Sequence, residues 1–401
     1  MSGILGGDLE AEILVRLPAK SLMRFKCVQR SWNILFKNPK FVIRNMHIHM
    51  SNDDDDHHRF VIIKQYTKET CPKTHNHNDR IFDKPIESTC LETHLMLLSL
   101  PQHPTPTPNL IKSLFPKNIP IRIIKIYGHC NGILCLEYDY DYTLSLILWN
   151  PTTREVHFVP PHPASYIHPE YLIGFGAKHN TNDFKVVKLN VNREKRFVFS
   201  LSSLEIYNLR DKSWTIIHNP TLPPDQATMR ATMRYYSKRP NKYNILVNGI
   251  YHWITGYNVK GFSIILCFDF SNNKFHTLTG PTTRFASEIG AENVTEINGS
   301  LAYVVQCYHP MIRMRIWVMD KLNGWTKLYN FVSLDSTYIH KHAICKGKKN
   351  GVQFLGGKPG QLLTLYDHHG NSLQQFQIVL HGILDAFLVH EYVKSIAPLS
   401  P

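Results

Sequence analysis

The residues with the clearest chemical potential in this sequence lie in the pentapeptide 128–132. Its order of glycine, histidine, cysteine, asparagine and glycine has the spacing of a nucleophile elbow with Cys130 as nucleophile. An elbow needs a helix directly after it, because the amino end of that helix supports the developing oxyanion. Here residues 133–136 (Ile-Leu-Cys-Leu) follow, which is typical of a strand. The Asn131-Gly132 pair therefore favours a hairpin turn, and the elbow is the lesser alternative.

Histidine and cysteine side chains form no recognisable metal site in the sequence. Cys130 and Cys135 are five apart and would point to opposite faces of an extended strand. Three short histidine clusters lack cysteine or carboxylate partners at a metal-site spacing, namely His57 with His58, His75 with His77, and His368 with His369. The sequence also contains no phosphate-binding glycine loop and no HExxH motif. We therefore predict no active site, no metal and no cofactor.

Composition and charge narrow the class of protein further. The chain has 401 residues and a net charge of +14, which can attract nucleic acid, anionic membranes or acidic proteins. No apolar run reaches the roughly 18 residues that cross a bilayer, and the first residues do not resemble a signal peptide. Eight scattered cysteines without a CxxC pair favour a reducing compartment. We expect a cytoplasmic protein, with the nucleus as an additional location, that binds no membrane.

The first 50 residues have the apolar spacing of helices. Asp8 is a candidate N-cap of a first helix that Pro18 ends, and a second helix is predicted to begin near Ser21. Asn38-Pro39 is typical of an N-cap followed by proline at the first helical position, which predicts a short third helix. Three helices in about 40 residues bury little apolar surface. This head therefore needs a partner or the rest of the chain to cover it.

Beyond residue 120 the pattern changes to short strands rich in β-branched and aromatic residues. Asn-Gly turns at 131, 248 and 298 open similar units, and the last two are 50 residues apart, close to the kelch period. We predict a β-propeller of about six blades, closed by pairing of residues 60–65 with residues 386–395. A less regular double sheet is the alternative.

Both parts of the chain resemble parts of known families. The sequence EILVRLPAKSLMRFKCV at 12–28, with Trp32 after it, resembles an F-box. The body resembles the F-box-associated domain of plant F-box proteins through YGHCNGILCL at 127–136, WNPTTR at 149–154 and LEIYNLRDKSW at 204–214. This resemblance implies a mainly β protein, with a three-helix F-box in residues 1–50 and a kelch-like, β-propeller-type substrate-recognition domain in residues 51–401. Within that group the chain looks most like the pollen S-locus F-box proteins.

The resemblance implies a function in ubiquitination. An F-box protein is the substrate receptor of an SCF-type ubiquitin ligase: it binds the Skp adaptor, and through it a cullin, and supplies no catalytic group itself. The finer resemblance implies recognition of pistil S-ribonucleases in self-incompatibility. A receptor for another target, or a scaffold without ligase function, are the alternatives. The scaffold alternative is supported by Gly6-Gly7, which stands where F-boxes usually have Leu-Pro.

Two groups of residues are candidates for binding. Those that match F-box positions are predicted to bind the adaptor or to pack the helices that do so: Leu5, Leu9, Ile13, Leu14, Leu17, Pro18, Leu22, Val28 and Trp32. Basic and aromatic residues of the strand-connecting loops are predicted to bind an acidic target: Tyr166, Arg193, Arg196, Arg230, Arg234, Tyr236, Arg239, Tyr257, Lys260, Tyr308 and Arg313. The stretch 229–239 could also bind nucleic acid, which we consider the less favoured partner.

Overall fold

The computed structural model describes residues 2–51, 59–69, 90–100, 110–111, 123–138, 145–161, 171–195, 198–218, 244–257, 262–281, 289–307, 313–320, 324–332, 343–347, 351–356, 362–367, 371–379 and 387–399. The helices are α1 (Ser2–Leu14), α2 (Ala19–Phe25), α3 (Arg30–Leu35) and α4 (Pro39–Ser51). All four lie in the amino-terminal head, and the remaining described elements are strands. The predicted domain boundary after residue 50 stays a prediction.

The head has four helices where the sequence predicted three. Gln29 is extended, with φ −146° and ψ 136°, and it divides the predicted second helix into α2 and α3. The break brings the rings of Phe25 and Trp32 to 5.8 Å, whereas seven residues of continuous helix would separate them by about 10 Å along the axis. The predicted N-cap at Asp8 was wrong, because α1 begins at Ser2 and Asp8 lies inside it.

The predicted start of the last helix is confirmed. The Lys40 backbone N–H donates to Asn38 Oδ1 at 2.9 Å, and Pro39 is the first helical residue of α4. This helix is longer than predicted and continues to Ser51. Its apolar side continues beyond the predicted stretch, because Val42 and Met46 are one turn apart and both buried.

The described strands form six four-stranded antiparallel sheets, the blades. Blade 1 contains β1 (Arg59–Glu69), β2 (Cys90–Leu100), β3 (Leu110–Ile111) and β24 (Phe387–Tyr392). Blade 2 contains β4 (Ile123–Cys130), β5 (Ile133–Tyr138), β6 (Ser145–Trp149) and β7 (Val156–Val159). Blade 3 contains β8 (Tyr171–Ala177), β9 (Phe184–Lys195), β10 (Val198–Asn208) and β11 (Ser213–His218). Blade 4 contains β12 (Asn244–Val247), β13 (Ile250–Tyr257), β14 (Ser263–Asp269) and β15 (Lys274–Thr279); blade 5 contains β16 (Ile289–Ile297), β17 (Ser300–Cys307), β18 (Arg313–Met319) and β19 (Trp325–Val332); blade 6 contains β20 (Ala343–Gly347), β21 (Gly351–Gly356), β22 (Leu362–Tyr366) and β23 (Ser372–Val379).

The ring is closed by strands from opposite ends of the chain. β24 pairs antiparallel with β1, from Phe60 opposite Tyr392 to Gln65 opposite Phe387. β24 also contacts β20 and β4, as the first strands of neighbouring blades contact each other. It therefore takes the first-strand position of blade 1. The predicted propeller, and the predicted pairing that closes it, are confirmed.

The three Asn-Gly pairs form two-residue hairpin turns between the first and second strands of their blades. The asparagines have φ of 48–51° and the glycines φ of 77–78°, which is the conformation of a type I′ turn. The prediction of a hairpin at Asn131-Gly132 is thus confirmed. Cys130 is buried, and burial raises the pKa of its thiol to about 12. Because strand β5 follows this turn and the thiol is not ionised, the nucleophile elbow was the wrong alternative.

These turns identify two faces of the propeller. The Asn131 side-chain amide donates to Thr181 O, in the β8–β9 turn, at 2.8 Å, and the Asn248 amide donates to Gly299 O at 2.7 Å. The turns that join first and second strands in blades 2 to 5 therefore lie together on one face, the turn face. The strands of a blade are antiparallel, so each second strand begins at the turn face and ends at the opposite face. The third strand begins at that opposite face, which we call the loop face.

A buried histidine in blade 4 predicts a pH dependence of stability. Burial lowers the pKa of His252 from 6.5 to about 4. Between pH 6.5 and pH 4 the unfolded chain therefore binds a proton at this histidine and the folded chain does not. Above pH 6.5 the group does not lower the free energy of unfolding, and below it the free energy of unfolding falls as the pH drops toward 4. We expect a loss of about 3 kcal/mol from this group. Denaturant unfolding at pH 7.5 and pH 4.5 measures it. His252→Gln should lose less between the two values; an equal loss would contradict the assignment.

Candidate functional site

Part of the predicted adaptor-binding set is buried in the folded chain. Leu14 is 4% exposed and Leu22 is 0% exposed, and both pack in one apolar cluster with Phe36 and Val42. The Asn45 amide donates to Val15 O at 2.7 Å and to Leu17 O at 2.9 Å, which ties α4 to the end of α1. In this structure Leu14 and Leu22 therefore pack inside the folded chain and present no surface.

Trp32 links α3 to α1 and α2. It is partly buried against this cluster and its ring packs on Phe25 of α2. Its indole Nε1–H donates to Glu10 Oε2, on α1, at 3.1 Å. Arg44 of α4 donates to Glu12 Oε2 at 2.6 Å, and this hydrogen bond lowers the pKa of the exposed Glu12 carboxyl. These contacts hold α1 in a fixed orientation relative to α3 and α4.

Four apolar side chains of the head are exposed. Leu9 and Ile13, one helical turn apart on α1, are 64% and 57% exposed, and Val28 and Ile34 are 66% and 64% exposed. We call these four residues the apolar head surface. Pro18 is also exposed, Leu17 is partly buried, and the side chain of Leu5 lies outside the described residues. Sequence reasoning missed Ile34, which lies off the apolar stripe predicted for that helix.

Basic residues predominate in the head that carries the apolar head surface. Residues 2–51 contain eight lysines and arginines against three carboxylates, an excess of 8 − 3 = 5 positive charges. Two of the carboxylates, Glu10 and Glu12, bond to Trp32 and Arg44. A partner that docks here meets apolar side chains on a head of net positive charge, so acidic residues on that partner are favoured.

The predicted target-binding residues that the structure describes lie at one face. Arg193 is near the end of β9, Tyr257 is the last residue of β13 and Arg313 is the first residue of β18, all at the loop face. The others lie outside the described residues: Tyr166, Arg196, Arg230, Arg234, Tyr236, Arg239, Lys260 and Tyr308. Their role in target binding stays a prediction.

Buried charged residues near the loop face were missed by sequence reasoning. Lys188 Nζ lies 3.2 Å from Glu205 Oε2, and both side chains are buried in blade 3. The Asn190 amide donates to Glu205 Oε1 at 2.5 Å. In blade 2 the Tyr127 hydroxyl donates to Glu137 at 2.6 Å. All these side chains have partners inside the propeller, so they stabilise blades and are not free to bind a ligand.

Metal ligands and membrane-spanning helices would each indicate a further class of protein. Over the described ranges, no group of three or more histidine, cysteine, aspartate or glutamate side chains could hold a metal ion. The histidine clusters singled out in the sequence lie outside those ranges. The helices of the described part of the chain are too short or too polar to cross a bilayer.

Comparison with known proteins identifies the family. The model of the F-box associated beta propeller domain matches residues 86–398. Two F-box/kelch-repeat proteins of Arabidopsis thaliana are 27% and 24% identical to the chain, over 79% and 90% of its length and 71% and 86% of their own. An Arabidopsis F-box protein is 23% identical over 98% of this chain and 96% of its own.

Among solved structures, the beta-propeller domain of the Trilobed protease from Pyrococcus furiosus has a TM-score of 0.34 at 10% identity. That match covers 66% of this chain and 71% of the other, and its score is too low to support an argument. The assignment rests on the family model and on relatives aligned along nearly the whole chain. The chain therefore belongs to the F-box associated beta propeller family, as a plant F-box protein.

Proposed function

We propose that this protein is the substrate receptor of an SCF-type ubiquitin ligase. Its head binds the Skp adaptor, and through it a cullin, and its propeller binds the protein to be ubiquitinated. The single observation that supports this best is the apolar head surface. Exposed apolar residues concentrated in one small part of a chain, as these four are in the first 50 residues, are typical of surfaces that a partner covers. The family of the chain supplies the identity of that partner.

The receptor acts by proximity and contributes no reacting group. It holds a target near a charged ubiquitin-conjugating enzyme, which raises the effective concentration of the target lysines. Arg193, Tyr257 and Arg313 are at the loop face, whereas the turn face carries the tight Asn-Gly hairpins. Target recognition by the loop face leaves the head free for the adaptor.

Substitution of the apolar head surface tests the proposal. The double variant Leu9→Asp, Ile13→Asp is expected to weaken binding of a purified Skp adaptor at least about 30-fold, because docking would bury two carboxylates in an apolar contact. Isothermal titration measures this dissociation constant. Helical circular dichroism should stay unchanged, since both side chains are exposed.

Leu328→Asp is the matched control. Leu328 is an exposed leucine on β19, an outer strand of blade 5. Its substitution should leave adaptor binding within about twofold, because surface substitutions away from an interface have small effects. Full adaptor binding by the double head variant would refute the receptor proposal and favour a scaffold without ligase function.

The target can be proposed at two levels. The general proposal is an acidic protein bound at the loop face, with an affinity that falls as salt rises. The narrower proposal, recognition of pistil S-ribonucleases by a pollen protein, rests on sequence motifs alone. Transcript or protein measurements separate them: accumulation in leaf and root but not in pollen would exclude the narrower proposal and leave the general one.

A further inference from the structure

The residues after β24 are fastened to the turn of blade 2 that joins β6 and β7. The Asn150 side-chain amide donates to two backbone carbonyls, Ser395 O at 3.1 Å and Ala397 O at 2.8 Å. The Leu399 backbone N–H donates to Glu155 Oε2 at 2.8 Å. The Ser395 backbone N–H also donates to Thr152 Oγ1 at 3.3 Å. Four bonds to one short turn thus fix the path of segment 393–399, which is not part of any strand.

The same segment lies against the first hairpin of blade 2. A Cβ added to Gly132 would be 2.5 Å from Ser395 Cβ and 2.7 Å from Val393 O. Real Cβ atoms do not approach other atoms so closely, so this path requires glycine at position 132 for space as well as for its positive φ.

The head and segment 393–399 share one apolar cluster. Ile396, Ala397 and Leu399 are buried and belong to the cluster that contains Leu22 and Phe36 of the head together with residues of blades 2 and 3, such as Ile133. Lys20 of α2 is close enough to Lys394 that its charge, after burial, contributes to lowering the Lys394 pKa. The segment therefore bonds to blade 2 and belongs to the apolar cluster that joins the head to blades 2 and 3.

We propose that segment 393–399 is a joint that fixes the helical head to blade 2. β24 ends at Tyr392 and closes the ring by pairing with β1, so ring closure does not need the joint. The joint sets the position of the apolar head surface relative to the loop face. For ubiquitination, a consequence that rests on the proposed function, it sets where a bound target lies relative to the adaptor.

Hydrogen exchange of the full chain and of a chain ending at Lys394 tests the joint. We expect amides of α2 and α4 to exchange at least about tenfold faster in the shortened chain, while amides of β13 and β14 keep their protection. Unchanged exchange in the helices would overturn the proposal. An equal loss of protection in helices and blades would also overturn it, because the segment would then serve the stability of the whole propeller.

A pair of glycine variants gives the same test without shortening the chain. Gly132 and Gly299 both have φ of +77°, but a Cβ at Gly299 would have no atom within 4 Å. Gly132→Ala should accelerate exchange of α2 and α4, and Gly299→Ala should not. Equal effects of the two variants on the helices would overturn the proposal.

Adaptor affinity separates this inference from the proposed function. The chain ending at Lys394 should bind a Skp adaptor as tightly as the full chain, since Leu9, Ile13 and Val28 are not part of the joint. If neither chain binds the adaptor, the receptor proposal fails while the exchange result still decides the joint. If only the shortened chain fails to bind, the joint is part of the docking surface and the proposal of a separate joint is overturned.

Discussion

Trp253→Ala is expected to lower the free energy of unfolding by about 4 kcal/mol. The side chain is completely buried between blades 3 and 4, and its ring lies 4.7 Å from that of Tyr251. Its Nε1–H donates to Ile173 O at 3.1 Å. Gly174 makes room for it, because a Cβ there would be 2.7 Å from Trp253 Cζ2. The substitution leaves a cavity and removes the donor of a buried carbonyl, and denaturant unfolding measures both losses together.

Trp325→Ala is the control for that experiment. Trp325 makes the same kind of bond, from its Nε1–H to Thr279 O of the preceding blade at 2.7 Å, but its side chain is only partly buried. We expect the free energy of unfolding to fall by about 1–2 kcal/mol. The comparison separates the contribution of the indole hydrogen bond from that of the buried ring. Equal losses for the two tryptophans would contradict the view that interblade burial, rather than the hydrogen bond, makes Trp253 important.

Lys188→Met is expected to cost about 3–5 kcal/mol of unfolding free energy. Lys188 and Glu205 are cross-strand partners on β9 and β10, and both are buried. Removing the lysine leaves a buried carboxylate with only the Asn190 amide and loses the 3.2 Å ion pair. Chemical denaturation of the full chain measures the change.

Two further variants separate the buried charge from the loss of packing. The double variant Lys188→Met, Glu205→Leu should recover most of the stability, because no unpaired charge is left in the blade. Arg44→Met breaks the exposed pair with Glu12 and should leave the free energy of unfolding nearly unchanged, because solvent screens this pair. A double variant as unstable as Lys188→Met would show that shape, and not charge, explains the loss.

Local sequence signals predicted the features that depend on few neighbouring residues. Asn131-Gly132, Asn248-Gly249 and Asn298-Gly299 carry the residues that a type I′ turn requires, so each hairpin could be predicted from two positions. Asn38-Pro39 likewise determined the start of α4. The strand pattern then led to the number of blades and to the closing pair, because a propeller needs one.

Features that depend on distant contacts could not be predicted in the same way. The break at Gln29 exists because Trp32 packs back on Phe25 and bonds to Glu10, which no local pattern reveals. The F-box motif gave one list of adaptor-binding candidates, but burial depends on the folded head. Only the structure shows that Leu14 is inside while Ile13, its neighbour in sequence, is exposed.

The pairing of β24 with β1 has a consequence for synthesis of the protein. Strand β1 is made early, but its partner is made only after five complete blades have been translated. Until then the nascent chain carries an open β edge, which is a template for aggregation. Ring formation must also wait for contacts between residues far apart in sequence, which slows folding. We therefore expect that chaperones which cover this edge during translation raise the yield of folded protein.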